Sequence, residues 1–179
     1  MSHRQITTLV IGGCRSGKSR YALTAADAVG GTNKIFLATS VPRDAEMEER
    51  VRSHQAERGT DWHTIEEPVK IDEKLVAHSQ KADVILVDCL TLWLSNLLAA
   101  GMDDPDIYIR VDRTARALSH ARCPVFLVTN EVGYGIVPEN SLARRFRDLA
   151  GQVNQRMAAA ADRVVLTVAG IALQIKPEK

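Results

Sequence analysis

Residues 84–87 read Val-Ile-Leu-Val and residues 125–128 read Val-Phe-Leu-Val. Runs this apolar leave no polar face for water, so both predict strands buried on the two sides of a sheet. The two strands extend over 84–88 and 125–130, and further apolar runs predict strands over 8–12, 34–39, 62–65 and 164–168. Between them the apolar spacing lengthens to that of helices, expected over 18–28, 44–57, 71–80, 91–100, 105–120 and 141–161. The last helix is the clearest. Leu142, Phe146, Leu149, Val153 and Met157 form one apolar stripe, and Asn140 or Ser141 can cap its start.

Alternating strands and helices predict an α/β fold: a mostly parallel sheet with helices on both faces. A short strand over 171–175, reached through the Ala169-Gly170 turn, is expected to pair antiparallel at the edge of that sheet. There is no internal repeat, low-complexity tract or long linker. A chain of 179 residues then predicts one domain over 1–179.

Composition narrows the picture. The chain is 45% hydrophobic but only 4% aromatic, so the core must rest on Val, Leu, Ile and Ala. A net charge of +1 argues against a nucleic-acid binder working through bulk electrostatics. No apolar run approaches the roughly 18 residues of a membrane span, and no signal-peptide pattern opens the chain. Cys14, Cys89 and Cys123 are odd in number and form no C-x-x-C pair, which predicts free thiols and a cytoplasmic protein.

The strongest chemical signal is Gly12-Gly13-Cys14-Arg15-Ser16-Gly17-Lys18-Ser19, a G-x-x-x-x-G-K-[ST] loop between a predicted strand and a predicted helix. Glycines let backbone N–H groups turn around phosphate oxygens, and the helix N-terminus adds positive potential. Lys18 is placed to reach the β- and γ-phosphates and the Ser19 hydroxyl to ligate Mg²⁺. A chance glycine-rich turn is the competing reading, and the strand–loop–helix context argues against it. Asp88 ends a buried strand and offers either a second Mg²⁺ ligand or a cap for the helix that follows. The fold class expected is therefore a P-loop NTPase of RecA-like type.

Read as helix, the segment 44–58 puts Met47, Arg50, Val51, His54 and Arg58 on one side. His54 is flanked by Arg50 and Arg58, cations that favour a neutral imidazole and suit a phosphate. Two readings stand on the residues alone: a histidine that attacks phosphorus, or one packed against the protein body beside two solvated arginines. His3, His63, His78 and His120 carry no comparable pattern, and no cluster has zinc spacing.

Several segments together resemble one family. The 12–19 loop reads GGCRSGKS, close to that family's GGARSGKS, and Ala38-Thr39-Ser40 ends the second strand as it does there. Met47, Arg50, Val51, His54 and Arg58 match an M-x-x-R-[IV]-x-x-H-x-x-x-R helix. Most specific is Val128-Thr129-Asn130-Glu131-Val132-Gly133 followed by Gly135-Ile136-Val137-Pro138-Glu139-Asn140. The chain thus resembles the bifunctional adenosylcobinamide kinase/adenosylcobinamide-phosphate guanylyltransferases.

That resemblance implies two activities: phosphorylation of adenosylcobinamide by ATP or GTP, and transfer of GMP from GTP through a guanylylated histidine to adenosylcobinamide phosphate. It implies His54 as the nucleophile beside Lys18, and Mg²⁺ held by Ser19 and Asp88. It places nucleotide contacts at Gly12, Gly13, Cys14, Arg15, Ser16, Gly17, Lys18, Ser19, Ala38, Thr39, Ser40, Gln55, Ala56, Glu57, Arg58, Glu66 and Asp88. It also implies a homotrimer, with no nucleic-acid partner. Cys14 stands where the family often has Ala, and Tyr134 where it often has a smaller or aliphatic residue. Another P-loop kinase or NTPase would account for the loop and Asp88 but not for His54 or the 128–140 stretch. A non-enzymatic RecA-like nucleotide switch predicts filament formation or nucleic-acid binding, which the near-neutral charge and the absence of aromatic-basic patches disfavour.

Overall fold

The computed structural model describes residues 5–41, 49 and 59–177. The helix expected over 44–57 falls almost wholly outside them. With it fall His54, Gln55, Ala56, Glu57 and Arg58.

Among the described residues, seven strands make one sheet: β1 (Thr7–Gly12), β2 (Lys34–Ala38), β3 (Trp62–Glu66), β4 (Val84–Asp88), β5 (Val125–Asn130), β6 (Arg163–Val168) and β7 (Ile171–Lys176). Their order across the sheet is β3-β2-β4-β5-β1-β6-β7. Every pairing is parallel except β6 with β7. The helices are α1 (Lys18–Asp27), α2 (Ile71–His78), α3 (Leu90–Ala99), α4 (Asp104–Ser119) and α5 (Ser141–Ala160). The α/β class, the parallel sheet and the antiparallel last strand are as expected, with element ends shifted by one or two residues.

The two faces of the sheet are covered unequally. On one face α1 packs Ala22 and Ala26 over Val10, Phe36, Val84, Leu86, Phe126 and Val128. On the other face lies the larger core, where α2 to α5 bring Leu75, Trp93, Leu97, Val111 and Met157 over Leu9, Leu37, Val87 and Leu127. The central strands β2, β4 and β5 are buried along nearly their whole length. That is the physical reason their sequences carry no polar alternation.

Caps set the helix ends. Asn140 Oδ1 accepts the Ala143 N–H (3.0 Å) and starts α5, while Asp103 accepts from Asp106 (2.9 Å) and starts α4, with Pro105 in its first turn. Trp93 is wholly buried, and its indole N–H is satisfied by the Val69 carbonyl at 2.7 Å.

The order of strands fixes where chemistry can occur. The chain leaves β1 for β2, on the far side of β4 and β5, but leaves β5 for β6, on the other side of β1. Connections diverging from neighbouring strands open a crevice at the carboxyl edge of the sheet.

Candidate active site

The phosphate loop occupies that crevice. β1 ends at Gly12, α1 begins at Lys18, and Gly17 at the N-cap has φ +94°. Only glycine holds such an angle without strain. Arg15 also lies at positive φ (53°). Gly13, Cys14 and Arg15 are exposed, Ser16 is buried, and Gly17, Lys18 and Ser19 are half-buried. The first helical bond runs from the Tyr21 N–H to the Gly17 carbonyl at 2.9 Å. The amides ahead of it, at Lys18, Ser19 and Arg20, have no carbonyl one turn back and are free to face an anion. Lys18 Nζ donates to the Gly13 carbonyl (3.1 Å), which keeps the ammonium on the loop.

The loop is braced by the hairpin of β6 and β7. Thr167 Oγ1 donates to the Ile11 carbonyl (3.4 Å) and lies 2.8 Å from Ser16 Oγ, while the Gly170 N–H donates to the Ser16 carbonyl (2.9 Å). Space is tight here. A Cβ on Gly12 would come closer than 3.0 Å to Ser16 Oγ and Thr167 Oγ1, and one on Gly17 would stand 3.1 Å from Gly170 Cα. Thr167 was not identified from the sequence, and Gly170 only as part of the turn into the last strand. The only local signal is a threonine inside the otherwise apolar 164–168 run.

Register aligns the other expected residues on the same edge. Glu66, Ala38 and Asp88 are directly paired across β3, β2 and β4, and Gly12 is paired with Asn130. Thr39 Oγ1 donates to the Cys89 carbonyl and accepts from the Cys89 N–H, both at 2.8 Å. Asn96 Nδ2 donates to the carbonyls of Thr39 (2.7 Å) and Pro68 (3.1 Å), so the 38–40 turn is tied to α3. Asp88 is half-buried, Ser40 half-buried and Glu66 exposed. At about 4.8 Å per strand, Glu66 stands roughly 19 Å from Gly12.

β4 runs through a cis Asp88–Cys89 peptide into α3, whose N-cap is Cys89 without a side-chain cap. The N-cap position thus falls on Cys89, one residue after Asp88. The Cys89 thiol is pushed up to about 11, first by burial and then by the Asp88 charge, while the Leu92 and Thr91 N–H groups and, least, Lys18 pull it back.

Beside the loop, Glu131 N–H donates to the Gly12 carbonyl (3.0 Å). Asn130 is held through its backbone: its N–H donates to Thr91 Oγ1 (2.7 Å) and its carbonyl accepts from Asn154 Nδ2 (3.2 Å). Thr129 Oγ1 donates to Asn154 Oδ1 at 2.7 Å. The Asn130 side-chain oxygen is buried without a hydrogen-bond partner. Asn130 and Glu131 belong to the 128–140 stretch, but their anchoring to Gly12, Thr91 and Asn154 was invisible in the sequence because it joins segments far apart.

Among the described residues the opposite edge carries no comparable loop. A cavity of about 310 Å³ there is lined by Gly30, Asp83, Arg122 and Cys123. Asp83 is occupied by the Thr32 and Asn33 N–H groups at 3.0 and 2.9 Å. Among the described residues no cluster of three His, Cys, Asp or Glu side chains can hold a metal, and no helix is long and apolar enough to cross a membrane.

Comparison with known proteins agrees with this geometry. The bifunctional adenosylcobalamin biosynthesis protein CobU of Salmonella typhimurium LT2 is 45% identical over 181 residues, covering 94% of this chain and 98% of that protein. CobU of Escherichia coli K12 is 42% identical with the same coverage. The bifunctional adenosylcobalamin biosynthesis protein CobP of Pseudomonas aeruginosa PAO1 is 41% identical over 174 residues, covering 95% and 97%. In fold, the chain is similar to the flagellar accessory protein FlaH of Methanocaldococcus jannaschii, with a TM-score of 0.55 at 13% identity over 97% of this chain and 79% of that one. It is also similar to a KaiC-like protein of Pyrococcus horikoshii OT3, with a TM-score of 0.50 at 14% identity over 90% and 70%. The CobU family model, described as cobinamide kinase / cobinamide phosphate guanyltransferase, matches residues 8–175, and this chain, with its P-loop NTPase fold, belongs to that family.

Proposed function

We infer that this chain carries both reactions: it phosphorylates adenosylcobinamide with ATP or GTP, then transfers GMP from GTP to the resulting phosphate, giving adenosylcobinamide-GDP. One observation carries the reading. The 12–19 loop sits on the same sheet edge as Asp88, in a chain matched to this family from residue 8 to 175.

In the first reaction the acceptor hydroxyl attacks the γ-phosphorus. Its new P–O bond replaces the bond to the β–γ bridging oxygen, and the hydroxyl proton passes to solvent. Little covalent chemistry falls to the protein, so positioning and charge dominate. The amides of residues 13–19 cradle the phosphates, and Lys18 offsets the negative charge that moves onto the leaving oxygen. Ser19 and Asp88 would hold a magnesium ion. They are hard oxygen donors, and two protein ligands leave room for phosphate oxygens and water. Asp88 ends β4 on the carboxyl edge that the loop occupies, which supports this placement. When bound, the ion neutralises phosphate charge. Glu66, roughly 19 Å along the edge, suits the nucleoside end of the nucleotide rather than its phosphates.

In the second reaction the His54 imidazole attacks the α-phosphorus of GTP, a P–N bond forms and pyrophosphate leaves. An oxygen of the acceptor phosphate then attacks the same phosphorus, and His54 is regenerated. Splitting one displacement into two is the general gain of a covalent nucleophile. This role rests on the match of the 47–58 motif, as do the nucleotide contacts at Gln55, Ala56, Glu57 and Arg58. Cys14, Arg15, Ser16, Ala38, Thr39 and Ser40 complete the nucleotide site. We further take the chain to be one domain acting as a homotrimer. Three free thiols fit a reducing cytoplasm.

The experiment uses Mg²⁺, α-labelled GTP and denaturation. Wild type takes covalent label; His54→Ala takes none yet still phosphorylates adenosylcobinamide. Lys18→Ala loses roughly 10²–10³ of both activities. Absence of label on folded, nucleotide-binding wild type would sink the nucleotidyl-transfer half.

A further inference from the structure

The segment that follows β5 carries a concentration of uncovered apolar surface that the nucleotide chemistry does not use. Tyr134 is 89% exposed, Ile136 96% and Val137 59%. Single exposed apolar side chains are ordinary, but three large ones within four residues form a patch that calls for an occupant. The segment that presents them is fixed at both ends. At one end the Glu131 N–H donates to the Gly12 carbonyl at 3.0 Å, and Glu131 Oε1 accepts the Gly133 N–H at 2.6 Å. At the other, Arg144 donates to the carbonyls of Pro138 (3.0 Å) and Glu139 (2.5 Å), and Asn140 caps α5. A connection held in this way is a prepared surface, and a prepared surface lowers the ordering cost of binding.

We propose that Tyr134, Ile136 and Val137 form a platform for the corrin ring of the acceptor substrate, outside the nucleotide site and shared by both reactions. The inference rests on the function given above and names the part of the molecule that recognises its acceptor. The occupant follows from continuity. The platform starts four residues beyond Asn130, which pairs with Gly12 at the mouth of the phosphate loop. A molecule whose reactive arm reaches the γ-phosphate there must lay its bulk just outside that edge. A corrin ring has broad methyl-bearing faces with amide groups at its rim. An apolar shelf without charged side chains at positions 132–138 suits such a face and does not suit a second nucleotide.

The test compares wild type with Ile136→Ser and Tyr134→Ser, both on exposed positions where folding is not at stake. The readouts are the KM for adenosylcobinamide in phosphorylation, the KM for adenosylcobinamide phosphate in GMP transfer, covalent labelling by GTP without acceptor, and sedimentation. The expected result is that both KM values rise about ten-fold per variant, the cost of leaving one large apolar side chain uncovered. Labelling, the KM for the nucleotide and the oligomeric state stay as in wild type. Unchanged acceptor KM values overturn the proposal. So does an altered oligomeric state, which would give the platform to a second copy of the chain. If wild type itself neither turns over adenosylcobinamide nor takes label, the functional reading fails first.

Discussion

Three cysteines show how much a side chain's chemistry depends on its place. Cys14 is exposed on the phosphate loop, whereas Cys89 and Cys123 are buried. Burial pushes both buried thiols up to about 11, with Asp88 adding to the effect at Cys89 and Asp83 at Cys123. A thiol titration of the native protein at pH 8 should count one reactive cysteine, slowed by GTP with Mg²⁺, and three after denaturation. The same shifts set a pH limit. Above 9 the unfolded chain releases these two protons while the folded protein keeps them, so stability is complete below pH 9 and falls as pH rises toward 11. Equal reactivity of all three thiols in native protein would contradict the burial described.

At the scale of elements, β6 and β7 serve a loop that lies more than 140 residues earlier in the chain. Thr167→Val keeps the shape of the side chain but leaves Ser16 Oγ buried without its partner. Such a loss costs about 1–3 kcal/mol, expected as a lower urea midpoint and weaker nucleotide binding, with Thr167→Ser restoring both. A variant with unaltered nucleotide affinity would show the brace to be idle. This contact marks the boundary of what the sequence reveals. The elements were legible because β4 and β5 are runs of apolar residues and α5 carries a stripe at helical spacing. The start of α4 slipped by a residue because a cap, Asp103, and not hydrophobicity decides it, whereas the Asn140 cap of α5 was legible and its start fell where expected. The phosphate loop was legible because all its parts are contiguous. The hydroxyl pair of Ser16 and Thr167, the Asn96 tie to Thr39 and the clamp on Asn130 join distant segments, and no local pattern announces them. β7 shows a different limit. Its alternation of Ile171, Leu173 and Ile175 marks a strand, yet these residues stay uncovered within the chain.

For the whole molecule, those same residues bear on assembly. Val168 pairs with Ile171 and Leu166 with Leu173, so apolar side chains lie together on an edge hairpin. Leu173 is 60% exposed and Ile171 72%. An uncovered apolar edge invites pairing with another chain. We expect sedimentation equilibrium to give a trimer for wild type and smaller species for Leu173→Lys; a monomeric wild type at micromolar concentration would exclude the homotrimer.

The brace on the phosphate loop has a consequence for how the protein is made. Residues 12–19 leave the ribosome well before the groups that hold them, since Ser16 and Thr167 lie 151 positions apart and Gly170 follows. β1 must also wait for β5 and β6, its two neighbours in the sheet. Nascent chains stalled before residue 167 should therefore capture nucleotide poorly, and binding should switch on once the β6–β7 hairpin has emerged rather than when the motif first emerges.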